Sequence, residues 1–240
     1  MKRLVLLSML LWHAPSWASP SIDLELNYAD TDRAMRFSGR AASVKVGGGG
    51  LNLNVPLWDY GTFTAGYGYG YSPSESASFL SVTASGSAES DYSYFAYEKA
   101  FELSDEWQVA PFWSRKSYDL NGWLYGDFRG AELVVNAKST ITFEDVGLKI
   151  YYDFRPSVSV YAGASRLKWS LDSAATGTLA TGLTASTKVS ANDSTTRFSF
   201  GVETLISAFP LQLEYSQASL SSDVKVMMRQ LTASVELVRF

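Results

Sequence analysis

Charged side chains in this sequence sit at alternate positions within otherwise apolar runs. Asp23 and Glu25 interleave with Ile22, Leu24 and Leu26, and Lys149 and Asp153 interleave with Leu148, Ile150, Tyr152 and Phe154. Arg197, Glu203, Glu214 and Glu236 occupy the same kind of position in later runs. Two uses of such residues are open. Paired carboxylates can exchange protons as general acid and base, whereas carboxylates mixed with Lys149 and Arg197 can simply satisfy each other's charge in a confined interior. Cysteine is absent, which excludes disulfides, thiolate metal sites, a cysteine nucleophile and lipid attachment at a cleavage junction. The single histidine, His13, lies at the N-terminus, so Ser–His and Asp–His mechanisms lack their base in the rest of the chain. We therefore expect no catalytic residues, no metal site, no cofactor and no enzyme activity.

The elements that hold these residues begin after a targeting segment. Lys2 and Arg3 precede the short apolar run Leu4 to Trp12, and Ser16-Trp17-Ala18 supplies the small residues a signal peptidase cuts behind. Residues 1–18 read as a signal peptide and residues 19–240 as one mature domain. Taking Lys2 and Arg3 from 20 basic residues leaves 18 against 24 acidic ones, a net charge of −6. With no basic concentration to follow phosphates, no nucleic-acid partner is expected. Purely apolar runs in the mature part are far shorter than the ~20 residues of a membrane helix, so any span must be made of strands closed into a barrel.

Period-two alternation recurs at Ile22–Tyr28, Leu51–Leu57, Phe63–Tyr71 and Asp145–Phe154, which puts apolar side chains on one face and polar or small ones on the other. The polar face carries charges on several strands and glycines on one. That is the inverted pattern of a barrel in lipid, and it predicts an all-β, closed antiparallel transmembrane β-barrel of about ten strands, with eight or twelve also compatible. The strands are predicted over 22–29, 43–57, 61–71, 91–103, 106–117, 140–154, 157–170, 196–206, 210–220 and 227–240. Tight turns at Trp58-Asp59-Tyr60, Ser104-Asp105, Arg155-Pro156 and Ser207-Ala208-Phe209 alternate with long connections at 30–42, 72–90, 118–139 and 171–195. Short periplasmic turns facing long external loops are the asymmetry such barrels show. Trp58, Tyr60, Trp107, Phe154, Phe209 and Phe240 gather near the tight turns, as an interfacial girdle would. Gly47 to Gly50 is expected to mark a bulge or bend.

The last residues, Leu231-Thr232-Ala233-Ser234-Val235-Glu236-Leu237-Val238-Arg239-Phe240, resemble the closing strand of bacterial outer-membrane β-barrel proteins. Phe240 and Val238 match that pattern, Glu236 departs from it, and the apolar register shifts between Leu237 and Val238, which points to a local bulge or to an imperfect assembly signal. The stretch Val146 to Gly163, with its Tyr-Asp-Phe-Arg-Pro turn, is similar to a hairpin of such barrels. The resemblance implies residence in the bacterial outer membrane, contact with its lipid, and recognition of Phe240 as a signal by the barrel assembly machinery. Barrel enzymes of the same compartment, the omptin proteases, the outer-membrane phospholipase and the lipid A acyl-modifying families, each use a histidine, which the mature part here lacks.

Two functional surfaces follow. The lumen is expected to hold Asp23, Glu25, Lys149, Asp153, Arg197, Glu203, Glu214 and Glu236, and a barrel of this size leaves room for a narrow polar channel at most. Gly66, Gly68 and Gly70 would widen it on one side. The connection near 118–139 carries Trp123, Tyr125, Phe128 and Arg129, residue types favoured in recognition, although packing over the rim is an alternative use. The stretch 171–195 is rich in Ser, Thr, Ala and Gly and is expected to extend two strands outward as a polar ribbon or to form a mobile loop. The expected role is a non-enzymatic surface barrel that contacts an unknown surface partner through its loops, with a narrow solute channel as the alternative.

Overall fold

A computed structural model describes residues 19–37, 40–79, 82–128, 130–155, 157–206, 209–219 and 227–240. The signal-peptide expectation for residues 1–18 lies outside them. Ten long strands follow in chain order: β1 (Ser21–Phe37), β2 (Arg40–Pro56), β3 (Thr62–Phe79), β4 (Val82–Glu98), β5 (Trp107–Phe128), β6 (Ala131–Arg155), β7 (Val158–Leu179), β8 (Thr184–Ile206), β9 (Phe209–Ser219) and β10 (Met227–Arg239). Each pairs antiparallel with its chain neighbours, and β10 returns to β1, so the sheet closes on itself. Closure gives every backbone donor and acceptor in the lipid-facing zone a partner, which an open sheet could not do.

The faces are inverted relative to a water-soluble protein. Glu25, Asn27, Asn52, Ser90, Asp145, Ser199 and Ser216 are buried, while Leu26, Leu51, Leu148, Ile150, Phe200, Leu213 and Leu231 are exposed. Alternation supplied both faces; coordinates decide which one turns outward. Only lipid can cover such an exterior favourably. At the end where β2 joins β3 through 57–61 and β4 joins β5 through 99–106, Trp58, Tyr60, Trp107, Phe154, Phe209 and Phe240 are all exposed. This ring of aromatics is the expected girdle, and in the expected orientation it marks the periplasmic rim.

Four expectations change. The long connections at 72–90 and 118–139 are not loops: β3 and β4 continue to Phe79 and from Val82, and β5 and β6 pair from Trp107↔Tyr152 to Phe128↔Ala131. Beyond the lipid both faces of a hairpin meet water, so alternation fades while backbone pairing continues. The 30–42 connection is likewise mostly strand, with β1 and β2 paired as far as Phe37↔Arg40. Gly47–Gly50 makes no bulge, because pairing from Tyr28↔Gly47 to Leu24↔Leu51 is unbroken. The fourth strand ends at Glu98 rather than 103, and the Ser104-Asp105 turn belongs to a longer connection in which Phe101–Glu102 pairs with Val109 and Gln108.

The ribbon expectation for 171–195 holds: β7 and β8 pair from Val158↔Thr204 to Thr178↔Thr184. Their tip turns at Gly182, whose φ of 83° suits a residue without Cβ. The bulge near the chain end is also present, since Ile22↔Val238 is followed by Asp23↔Glu236 with Leu237 as the extra residue.

Candidate functional site

The strands bring most of the expected lumen residues together, in two clusters. In the first, Glu25 on β1 accepts from Lys116 Nζ on β5 at 2.6 Å, from Asn52 Nδ2 at 2.8 Å and from Asn27 Nδ2 at 3.1 Å. Lys116 also lies 4.1 Å from the centroid of the Tyr92 ring, with Tyr94 and Tyr118 at 5.5 and 5.7 Å. An ammonium among three ring faces is held by their quadrupoles as well as by the carboxylate.

The second cluster spans β4 and β6 to β9. Lys149 Nζ stands 3.0 Å from Glu98 Oε2 and 3.8 Å from Glu214 Oε2. Arg197 donates to Asp145 Oδ2 at 2.6 Å, to Ser216 Oγ at 2.6 Å and to Glu214 Oε1 at 3.3 Å. Tyr151 and Tyr161 donate to Glu98 and Glu214 at 2.8 and 2.7 Å, and Gln212 Nε2 donates to Glu203 at 3.1 Å. Buried ions are tolerated only when partnered in this way. Because the partners come from non-adjacent strands, the side chains meet across the lumen.

The remaining expected residues sit toward the periplasmic mouth. Asp23 accepts from Asn54 Nδ2 at 2.7 Å, and Asp153 accepts from Gln108 Nε2 at 3.2 Å and from Ser159. Among the described residues, neither pairs with a cation. Glu236 is paired instead with exposed Arg239 at 2.8 Å, so it belongs to the rim rather than to the central network.

Lys116, Glu98, Asp145, Tyr92, Tyr151 and Tyr161 complete the clusters and were not among the expected site residues. Asp145 and Tyr151 were within reach of parity, being four and two positions from Lys149 on the same face. Lys116 was masked by inward Phe112, which blurs the alternation of β5. Tyrosines occupy both faces: Tyr67, Tyr69 and Tyr71 lie on the exterior, whereas Tyr92, Tyr151 and Tyr161 are buried inside. The glycine row has a cause other than a channel. A Cβ on Gly68 would lie 2.3 Å from Tyr92 Cζ, so the Tyr92 ring occupies the space the glycines leave. Tyr161 covers Gly201 the same way, at 2.2 Å.

Of the recognition candidates, Trp123 and Tyr125 share one face of β5, and Tyr125 is 52% exposed. They stand on a strand rather than in a loop. The Phe128 side chain and Arg129 lie outside the described residues. Among the described residues, no group of three or more His, Cys, Asp or Glu side chains could hold a metal ion.

No protein-family model matches the sequence, and no curated protein matches it. Solved structures do resemble it. The translocator domain of the autotransporter NalP from Neisseria meningitidis is similar over 98% of this chain and 92% of that one, with a TM-score of 0.55 at 11% identity. The outer membrane protease OmpT from Escherichia coli is similar over 93% and 96%, with a TM-score of 0.47 at 8% identity. Ail, the attachment invasion locus protein of Yersinia pestis, is similar over 93% and 99%, with a TM-score of 0.36 at 10% identity. Closed antiparallel topology, an apolar exterior, a charged interior and the NalP likeness together define the fold: this chain is a closed ten-stranded β-barrel with the inside-out polarity of a barrel that sits in lipid.

Proposed function

We propose that the protein is a non-enzymatic surface barrel, exported by residues 1–18 and assembled through its Phe240-terminated strand, whose outer sheet contacts a partner outside the cell. The observation that carries this reading is the outer part of β8. From Thr184 to Thr196 it pairs with β7, but β8–β9 pairing starts only at Arg197↔Ala218, so among the described residues no strand covers its other edge. An edge of unpaired N–H and C=O groups is a template for strand addition. Ser, Thr and Asn dominate that stretch, so recognition there would rest on the main chain and small polar groups. The ion pairs across the lumen and the lack of histidine in residues 19–240 favour this reading over a channel or a barrel enzyme.

The test shortens the β7–β8 ribbon. Residues 176–186 are replaced by Asn-Gly, which keeps the Ala175↔Thr187 pair next to a two-residue hairpin turn. Cells displaying the shortened barrel should lose attachment to protein-coated surfaces and to one another while the barrel keeps its heat-dependent gel shift. Undiminished attachment, or reproducible single-channel conductance of the intact barrel in planar bilayers, would overturn the proposal.

A further inference from the structure

We propose that the outer face of β6–β8 is a binding site for a phosphorylated glycolipid of the outer leaflet. Three observations stack along the barrel axis there. Lowest is an apolar furrow. Ala162 is paired with Ile150 on one side and Phe200 on the other, and Ala164 with Leu148 and Phe198. All six residues face outward and are exposed. Two alanines between rows of large side chains leave a lane the width of a hydrocarbon chain.

Directly above the furrow the outward positions turn cationic. Arg166 follows Ala164 on the same face and sits between Val146 and Thr196, and Lys168 sits between Glu144 and Ser194. Arg115, on β5, faces Glu144 from its other side. Three cations therefore surround one carboxylate at the level where the apolar surface ends, the depth of lipid headgroups. On the neighbouring strand β4 the outward charges differ in sign: Glu89 and Asp91, both exposed, pair with Asn121 and Asp119 of β5 beyond the Phe95↔Arg115 pair.

Above the cations lies a shallow groove of about 480 Å³ lined by Thr142, Glu144, Lys168, Ser170, Asn192 and Ser194, among others. Arg166 reaches up to Ser194, so the guanidinium borders the groove. Hydroxyls, an amide and the two carboxylates Glu144 and Asp193 suit sugar hydroxyls, while Arg166 and Lys168 suit a phosphate that carries the sugar. Acyl lane, phosphate-binding cations and sugar groove occur in the order in which a phosphorylated glycolipid presents its own parts. A glycerophospholipid would use the lane and the cations but leave the groove empty.

The test uses the full barrel in detergent micelles, with lipid A, dephosphorylated lipid A and phosphatidylglycerol as probes, read by native mass spectrometry. Lipid A should be retained at least tenfold more tightly than either of the other two. R166A combined with K168A should abolish that difference, and A164F, which fills the furrow and keeps the charges, should weaken lipid A at least tenfold. R239A, at the periplasmic rim, should change nothing. Equal retention of lipid A and its dephosphorylated form would overturn the proposal, as would equal retention of phosphatidylglycerol. Unaltered lipid A binding by both the R166A/K168A and the A164F variants would overturn it too. The three-lipid comparison uses the unmodified barrel, so it decides even if a variant fails to fold.

Discussion

Removing Lys116 should strand Glu25 inside the barrel, and the two halves of that pair should not be equally costly to lose. Glu25 is 6% exposed and Lys116 Nζ lies 2.6 Å from it. At an effective dielectric near 20, charges a few ångströms apart attract by roughly 5 kcal/mol, of which desolvation cancels a large part. In Lys116→Met the carboxylate keeps the amides of Asn27 and Asn52 but loses its cation, and breaking a buried pair from one side costs about 3–5 kcal/mol. In Glu25→Gln the ammonium keeps three ring faces, led by Tyr92 at 4.1 Å, so about 1–2 kcal/mol of its stabilisation survives and the loss is correspondingly smaller. The double variant, neutral on both sides, should lie closer to the parent than Lys116→Met does. Urea unfolding in lipid vesicles reads all four proteins. With a slope of about 3 kcal/mol per molar, Lys116→Met should lower the midpoint by about 1–1.7 M. Equal losses in the two single variants, or a double variant whose loss is the plain sum, would refute the argument that the pair is a mutually dependent buried unit.

Three further outcomes follow from the same geometry. Gly68→Val should destabilise the barrel by about 1–3 kcal/mol by driving a side chain into the Tyr92 ring, and adding Tyr92→Ala should relieve part of the clash in the same unfolding assay. Leu148→Arg, placing a cation on the lipid face, should cost about 2–4 kcal/mol, whereas Ser170→Arg, an outward position above the apolar band, should cost under about 1 kcal/mol. Deleting Phe240, which is 68% exposed at the rim and donates its N–H to Pro20 at 2.9 Å, should lower the yield of heat-shifted barrel in cells more than its unfolding midpoint in vitro. A parallel fall in both measurements would make Phe240 a packing residue rather than an assembly signal.

Lumen contents were legible wherever a strand alternates cleanly. Lys149, flanked by Leu148 and Ile150, could be assigned to the polar face from neighbours alone, and so could Glu25 between Leu24 and Leu26. Lys116 could not, because the inward face of β5 also carries Ala110 and Phe112, which resemble an exterior. The pairing of Glu236 with Arg239 was hidden for a different reason: the extra residue at Leu237 changes which side chains share a face, and its effect on partners appears only once β1 lies alongside.

Composition and alternation by themselves determined that the chain would close as an antiparallel barrel of about ten strands, since a two-residue period is a local property of each strand and a membrane leaves no other way to pair strand edges. The lack of cysteine, and of histidine after His13, told just as locally which side-chain chemistries residues 19–240 do not carry. Tertiary structure alone decided that Lys116 meets Glu25 from β5 to β1, that the glycine row houses the Tyr92 ring, and that β5 to β8 rise beyond the lipid as paired sheet. Those facts depend on which strands face each other across the cylinder and how far backbone pairing runs where both faces meet water, and neither leaves a periodic trace in the residues of one strand.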